Sequence, residues 1–141
     1  MDGIDFWNRL YGPTGFFQFQ CVVPPNGARD IVAEMLRHAR KGGATLGVLK
    51  SFGTVSSPGL LSFPMLGWTL ALDFPNRGKG TLQLLSSLED IVADVGGRIY
   101  PAKDSVMRRD TFERGYPRLQ DFLPMVDPGV SSGFAQRMGI L

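Results

Sequence analysis

Between Gly67 and Pro75 the chain alternates strictly, with Trp68, Leu70, Leu72 and Phe74 on one parity and Thr69, Ala71 and Asp73 on the other. A period of two is that of a strand with one face turned to a core. The same alternation runs from Phe16 to Val23, setting Phe17, Phe19, Cys21 and Val23 against Gln18 and Gln20, and it stops at Pro24-Pro25. Thr45 to Phe52 reads as another strand, with Lys50 near its end. Arg98 to Lys103 reads as a short fourth one, in which Pro101 suits a sheet edge or a strand end.

Between the strands the period changes. Ala28, Ile31, Val32, Met35, Leu36 and Ala39 recur at helical spacing and stop at Gly42-Gly43. Leu84, Leu85, Leu88, Ile91, Val92 and Val95 do the same up to Gly96-Gly97. A third helix is predicted from a cap at Asp104 or Ser105 through Gly115, and a polar tail leads to a short segment from Ser132 to Met138. Residues 1–15, with Trp7, Tyr11 and the turn-like Gly12-Pro13, read as an irregular entry segment. The order strand, helix, strand, strand, helix, strand predicts an α+β fold of the ferredoxin-like, split βαβ kind. Its sheet would be four-stranded and antiparallel, with both helices on one face, and residues 16–141 would form one domain.

Composition narrows the function classes. A chain of 141 residues buries one core. The net charge is +2, and the basic residues are scattered, as at Arg37, Lys41, Lys79 and Arg137, so neither a nucleic-acid footprint nor a polybasic membrane patch is present. Cys21 and His38 are each the only residue of their type. This excludes an internal disulfide or a cysteine metal cluster, and no metal is expected. His38 falls in mid-helix, a poor place for a catalytic base. No apolar run approaches the ~18 residues of a membrane span, and the first residues do not form a signal peptide. The expected location is cytoplasmic or peripheral to a membrane.

If helices cover one sheet face, Gln18, Gln20 and Thr69 project from the other, with Lys50 and Lys103 near them. A solvated face and a ligand-binding face both fit this pattern. Gly67 and Ala71 are small where a solvated strand more often carries a long polar side chain, and Phe16, Trp68 and Tyr100 suit a pocket wall. Lone lysines are ordinarily surface groups, but these two end strands in apolar surroundings, where an ammonium can donate to a carbonyl, a phosphate or a reduced flavin. The glutamines donate and accept at once, which suits sugar hydroxyls or a ring carbonyl. Cys21 shares the parity of Phe17 and Phe19 and reads as a small core hydrophobe. Gly78-Lys79-Gly80 lacks the spacing and the strand-to-helix setting of a phosphate loop and reads as a turn.

Several stretches together carry a resemblance: Phe6-Trp7-Asn8-Arg9-Leu10-Tyr11-Gly12-Pro13, Phe17-Gln18-Phe19-Gln20, Leu49-Lys50-Ser51-Phe52-Gly53, Leu61-Ser62-Phe63-Pro64, the strand from Gly67 to Pro75, and Ala102-Lys103-Asp104-Ser105. They resemble the substrate-side, C-terminal part of FAD-linked oxidases of the vanillyl-alcohol oxidase superfamily, specifically the decaprenylphosphoryl-ribose and sugar-lactone (D-arabinono-1,4-lactone) oxidases. The resemblance implies hydride transfer from a sugar CH–OH carbon to the flavin of FAD. It places Lys103 beside flavin and substrate as the catalytic residue. Gln18, Gln20, Lys50, Phe52, Thr69 and Ala71 line the sugar pocket, with Ala71 also against the cofactor. Well-known members carry a cysteine where this chain has Ala71.

No glycine-rich dinucleotide cradle is found in the sequence, and Met1-Asp2-Gly3 falls in the middle of what would be a longer protein. The chain is therefore expected to be a fragment or one piece of a split enzyme. Its partners would be a sugar or lipid-linked sugar and either a flavin-binding chain or a second copy. The alternative is a non-catalytic ligand-binding or protein-interaction module that keeps the fold.

Overall fold

A computed structural model describes residues 9 and 12–141. The expectations for Trp7 and Tyr11 lie outside the described residues. Three strands form as their alternation predicts: β1 (Phe16–Val23), β2 (Leu46–Phe52) and β3 (Gly67–Pro75). The fourth, β4, is only Arg98–Ile99. The sheet is antiparallel throughout, in the order β2-β3-β1-β4. Helices α1 (Ala28–Gly42) and α2 (Lys79–Asp94) pack on one face, and three short helices follow: α3 (Arg109–Gly115), α4 (Leu119–Phe122) and α5 (Gly133–Met138).

The core lies between that face and the helices. Phe19, Cys21, Val23, Leu70, Leu72 and Phe74 meet Met35, Ala39, Leu85, Leu88 and Val92, all buried. Each such side chain contributes about 1.5–3 kcal/mol on leaving water. Tyr116 closes the β4 side, its hydroxyl donating to the Ile99 carbonyl at 2.8 Å. Glu89, 1% exposed, joins α2 to the start of α3 by accepting the Arg108 backbone N–H at 2.8 Å.

Four expectations are corrected. Pairing ends with the Tyr100 N–H donating to the Gln20 carbonyl, and Pro101–Lys103 then turns as a 3-10 helix, because a proline has no N–H to continue the ladder. Lys103 is thus on a turn rather than a strand. The third helix starts at Arg109, not after Asp104, whose carboxylate accepts the Val106 and Met107 N–H groups in a turn and pairs with Arg137. Trp68, assigned by parity to the core, is 43% exposed, since it lies at the end of β3 in a groove with Pro25, Arg29 and Leu49. Finally, the turn through Gly78 does link a strand to a helix. Thr81 satisfies it internally, its hydroxyl donating to the Pro75 carbonyl and accepting the Arg77 N–H.

Burial pushes the Cys21 thiol up to about 12. The unfolded thiol titrates near its ordinary value of about 8.5, so the neutral buried form contributes stability below that pH and loses it as pH rises toward the folded value. Chemical denaturation should therefore show stability falling by up to about 1.4 kcal/mol per pH unit above pH ~9. Cys21→Ala should flatten that slope between pH ~9 and ~10, before tyrosines titrate. An unchanged slope would place the thiol outside the core.

Candidate functional site

The helix-free face is assembled by register, because directly paired residues on antiparallel strands share a face. One row reads Lys50, Thr69, Val22, Arg98 across β2, β3, β1 and β4. The next reads Val48, Ala71, Gln20, and the third Leu46, Asp73, Gln18. Phe52 stands opposite Gly67 at one end. Gln18, Gln20, Lys50, Phe52, Thr69 and Ala71 are thereby brought together on a single surface.

The polar groups of this face are ordered. Gln18 Nε2 donates to Asp73 Oδ1 and Gln20 Nε2 to Thr69 Oγ1, each at 3.1 Å. Both acceptors are buried, Thr69 at 2% and Asp73 at 6% exposure. The side chains expected to project freely are therefore split: the glutamines form the accessible layer, and Thr69 and Asp73 fix their orientation from below. Among the described residues neither glutamine side-chain oxygen, Oε1, accepts a hydrogen bond, which leaves each able to accept one from a hydroxyl group. Ala71, half-buried between Val48 and Gln20, makes the floor low at the centre.

Lys50 is exposed on β2 and Lys103 is half-buried on its turn; among the described residues neither has a carboxylate partner. Lys103 and Gln18 border one narrow cleft together with Phe19, Leu85, Glu89 and Ile99 of the helix-covered side, whereas Lys50 stands on the helix-free face beside Thr69. At the Thr69 end, the segment after β2 folds back over the sheet. Phe63, 7% exposed, stacks on Tyr100 at 4.6 Å and meets Phe52 edge-on at 5.9 Å. The arrangement is a shallow basin with an apolar wall, two oriented amides and Lys50 at the Thr69 end, suited to a polar, hydroxyl-bearing ligand that carries or develops negative charge.

Gly67 has a different role from the one its size suggested. At φ +151°, an added Cβ would lie 2.0 Å from the Val23 carbonyl oxygen, so glycine is needed for backbone approach rather than for ligand room. Sequence reasoning also missed Val48, Leu46 and Arg98. The two-residue step back from Lys50 places Val48 and Leu46 on the same face, but an apolar residue in a strand reads first as core. His38 lies on α1, on the opposite side of the sheet. Among the described residues no group of three or more His, Cys, Asp and Glu side chains is placed to hold a metal, and no helix is long and apolar enough to cross a membrane.

No protein-family model matches the chain. It is 37% identical over 147 aligned positions to decaprenylphosphoryl-beta-D-ribose oxidase of Mycolicibacterium smegmatis, an alignment covering 100% of this chain and 32% of the oxidase. It is also 41% identical over 144 positions to an uncharacterized protein in the mprA 5' region of Streptomyces coelicolor, covering 97% of this chain and 39% of that protein. The chain thus spans 32% and 39% of the length of these two relatives. Along its whole length the chain is a relative of part of decaprenylphosphoryl-beta-D-ribose oxidase, consistent with the C-terminal portion of an FAD-linked oxidase.

Proposed function

We propose that the chain is the substrate-binding part of an FAD-dependent oxidoreductase that oxidises a sugar CH–OH group. The observation that carries this reading is the basin itself: Gln18, Gln20, Lys50 and Thr69 share one helix-free face above an alanine floor. Similarity to an oxidase named for a phosphoryl ribose substrate supports the reaction class. In this reading Gln18 and Gln20 hold the sugar hydroxyls, and Lys50 donates from the β2 side. Val48 and Phe52 exclude water. Lys103 would stabilise the negative charge that the hydride acceptor gains as the carbinol carbon gives up hydride.

FAD, when bound, supplies the hydride acceptor. The residues present fit one edge of its ring: Lys103 is a cation with no carboxylate partner among the described residues, and Ala71 leaves a flat floor. They do not fit its pyrophosphate, since the glycine turn before α2 spends its hydroxyl on the turn itself. In this reading the pyrophosphate cradle lies outside the described residues. The exposed edge strand β2, with Leu49 48% exposed, offers a partner a surface, and the same edge favours the non-catalytic, interaction-module alternative.

Two measurements test this. The purified chain titrated with FAD should show no tight, saturable change in the flavin absorbance bands. A chimera in which this chain replaces the matching third of the M. smegmatis oxidase should bind FAD and reduce it with a phosphoryl ribose substrate. A chimera that binds FAD but is never reduced would defeat the enzyme reading in favour of the interaction module.

A further inference from the structure

We propose that the pocket between the segment after β2 and the end of α3 is a binding site for a phosphoryl group, with Arg98 as its anchor. The pocket has a volume of about 260 Å³ and is lined by Arg98, Arg118 and the hydroxyl residues Thr54, Ser56, Ser57 and Ser62. Arg98 is half-buried. Its Nη1 donates to the Ser62 carbonyl at 3.0 Å, and its guanidinium lies 5.5 Å from the centre of the Tyr116 ring, which fixes its plane. Those contacts leave most of its five N–H donors unspent.

What distinguishes Arg98 is partial burial without a counter-charge. Arg108, Arg109, Arg114, Arg118 and Arg137 each pair with a carboxylate; among the described residues Arg29, Arg37, Arg40, Arg77 and Arg98 pair with none, and of these five all but Arg98 are exposed. Residues 51–72, which supply most of the pocket wall, contain no Asp or Glu. A partly desolvated guanidinium beside four hydroxyl residues and no acid is suited to an oxyanion with several acceptor oxygens, the planar fork matching phosphate bidentately.

The position is also informative. Arg98 pairs with Val22 on the same sheet face as Gln20, one strand across and two residues along. From ordinary strand spacings this separation is roughly 8 Å, about the width of a sugar ring. A sugar held over Ala71 and Gln20 could thus present a phosphoryl substituent toward Arg98. This link to the sugar rests on the proposed function; the anion site rests on Arg98 and its pocket alone.

The test uses the isotope-labelled chain and backbone amide spectra, with inorganic phosphate, ribose 5-phosphate and ribose as probes. Phosphate and ribose 5-phosphate should give saturable shifts at residues 53–62, Arg98 and 116–118, and ribose alone should leave these unmoved. Arg98→Met should abolish the shifts, Arg98→Lys should weaken binding by roughly tenfold, and Lys79→Met should leave it unaltered. Co-sedimentation with phosphatidylglycerol against phosphatidylcholine vesicles distinguishes a lipid headgroup from a soluble phosphate. Vesicle binding abolished by Arg98→Met supports the site with the lipid as source. Absence of binding in every arm, shifts confined to other residues, or shifts that survive Arg98→Met overturn it. Because no arm requires flavin, phosphate binding beside an inert chimera would sink the oxidase reading alone. A working chimera without phosphate binding would sink only this site.

Discussion

Lys103→Ala, introduced into the chimeric oxidase, should slow reduction of the flavin by substrate by about 10²- to 10³-fold, the usual cost of removing a donor aimed at developing charge. Stability should hardly change. Lys103 is half-buried on a short turn and has no carboxylate partner among the described residues, so its loss leaves no buried charge unpaired. Stopped-flow bleaching of the flavin separates this step from reoxidation, and a melting curve checks the fold. Lys103→Arg should recover part of the rate, because it keeps the charge while changing its geometry. Unchanged flavin reduction in Lys103→Ala would remove this residue from the chemistry, whatever happens to affinity.

The second large effect is structural. Gly67→Ala should destabilise the chain by more than about 4 kcal/mol, or prevent folding, an exceptional cost for one methyl group. The new Cβ would lie 2.0 Å from the Val23 carbonyl oxygen, which is backbone and cannot rotate away, and the φ of +151° disfavours any side chain. Relief would require β3 to part from β1 where Trp68 pairs with Val23, disturbing the Phe52 end of the basin as well. Gly80→Ala is the control. Nothing lies within 4 Å of its added Cβ, and the position is in the first turn of α2, so it should be neutral or stabilise by up to about 1 kcal/mol. Equal, small effects at both glycines would mean that the β1–β3 approach is not as close as described.

Much of the fold was legible because its signals are local. β1 and β3 are short periodic runs, and α1 and α2 are amphipathic stripes closed by paired glycines, so the period alone assigned both type and inward face. The same parity placed Gln18, Gln20, Thr69 and Ala71 on the outer face. It failed where a neighbour overrules the pattern. Trp68 has core parity but lies at the end of β3, in an open groove against the start of α1, and the alternation in β4 is cut short by a proline. Asp73 and Thr69 have surface parity, yet they are buried beneath amides that only strand pairing brings to them.

Alternation within one strand determines which residues lie on opposite faces, because the backbone pleat enforces it regardless of context. In this chain it determined the α+β order, the helix-covered core and the polar character of the outer face. It cannot determine which residues of different strands stand side by side, since register depends on pairing between distant segments. That pairing alone set Lys50 beside Thr69, Val48 beside Ala71 and Arg98 beside Val22. The fold-back of residues 53–66, which seats Phe63 on Tyr100 and walls the Arg98 pocket, likewise belongs to the tertiary structure, because a loop without periodicity takes its path from the surface it covers.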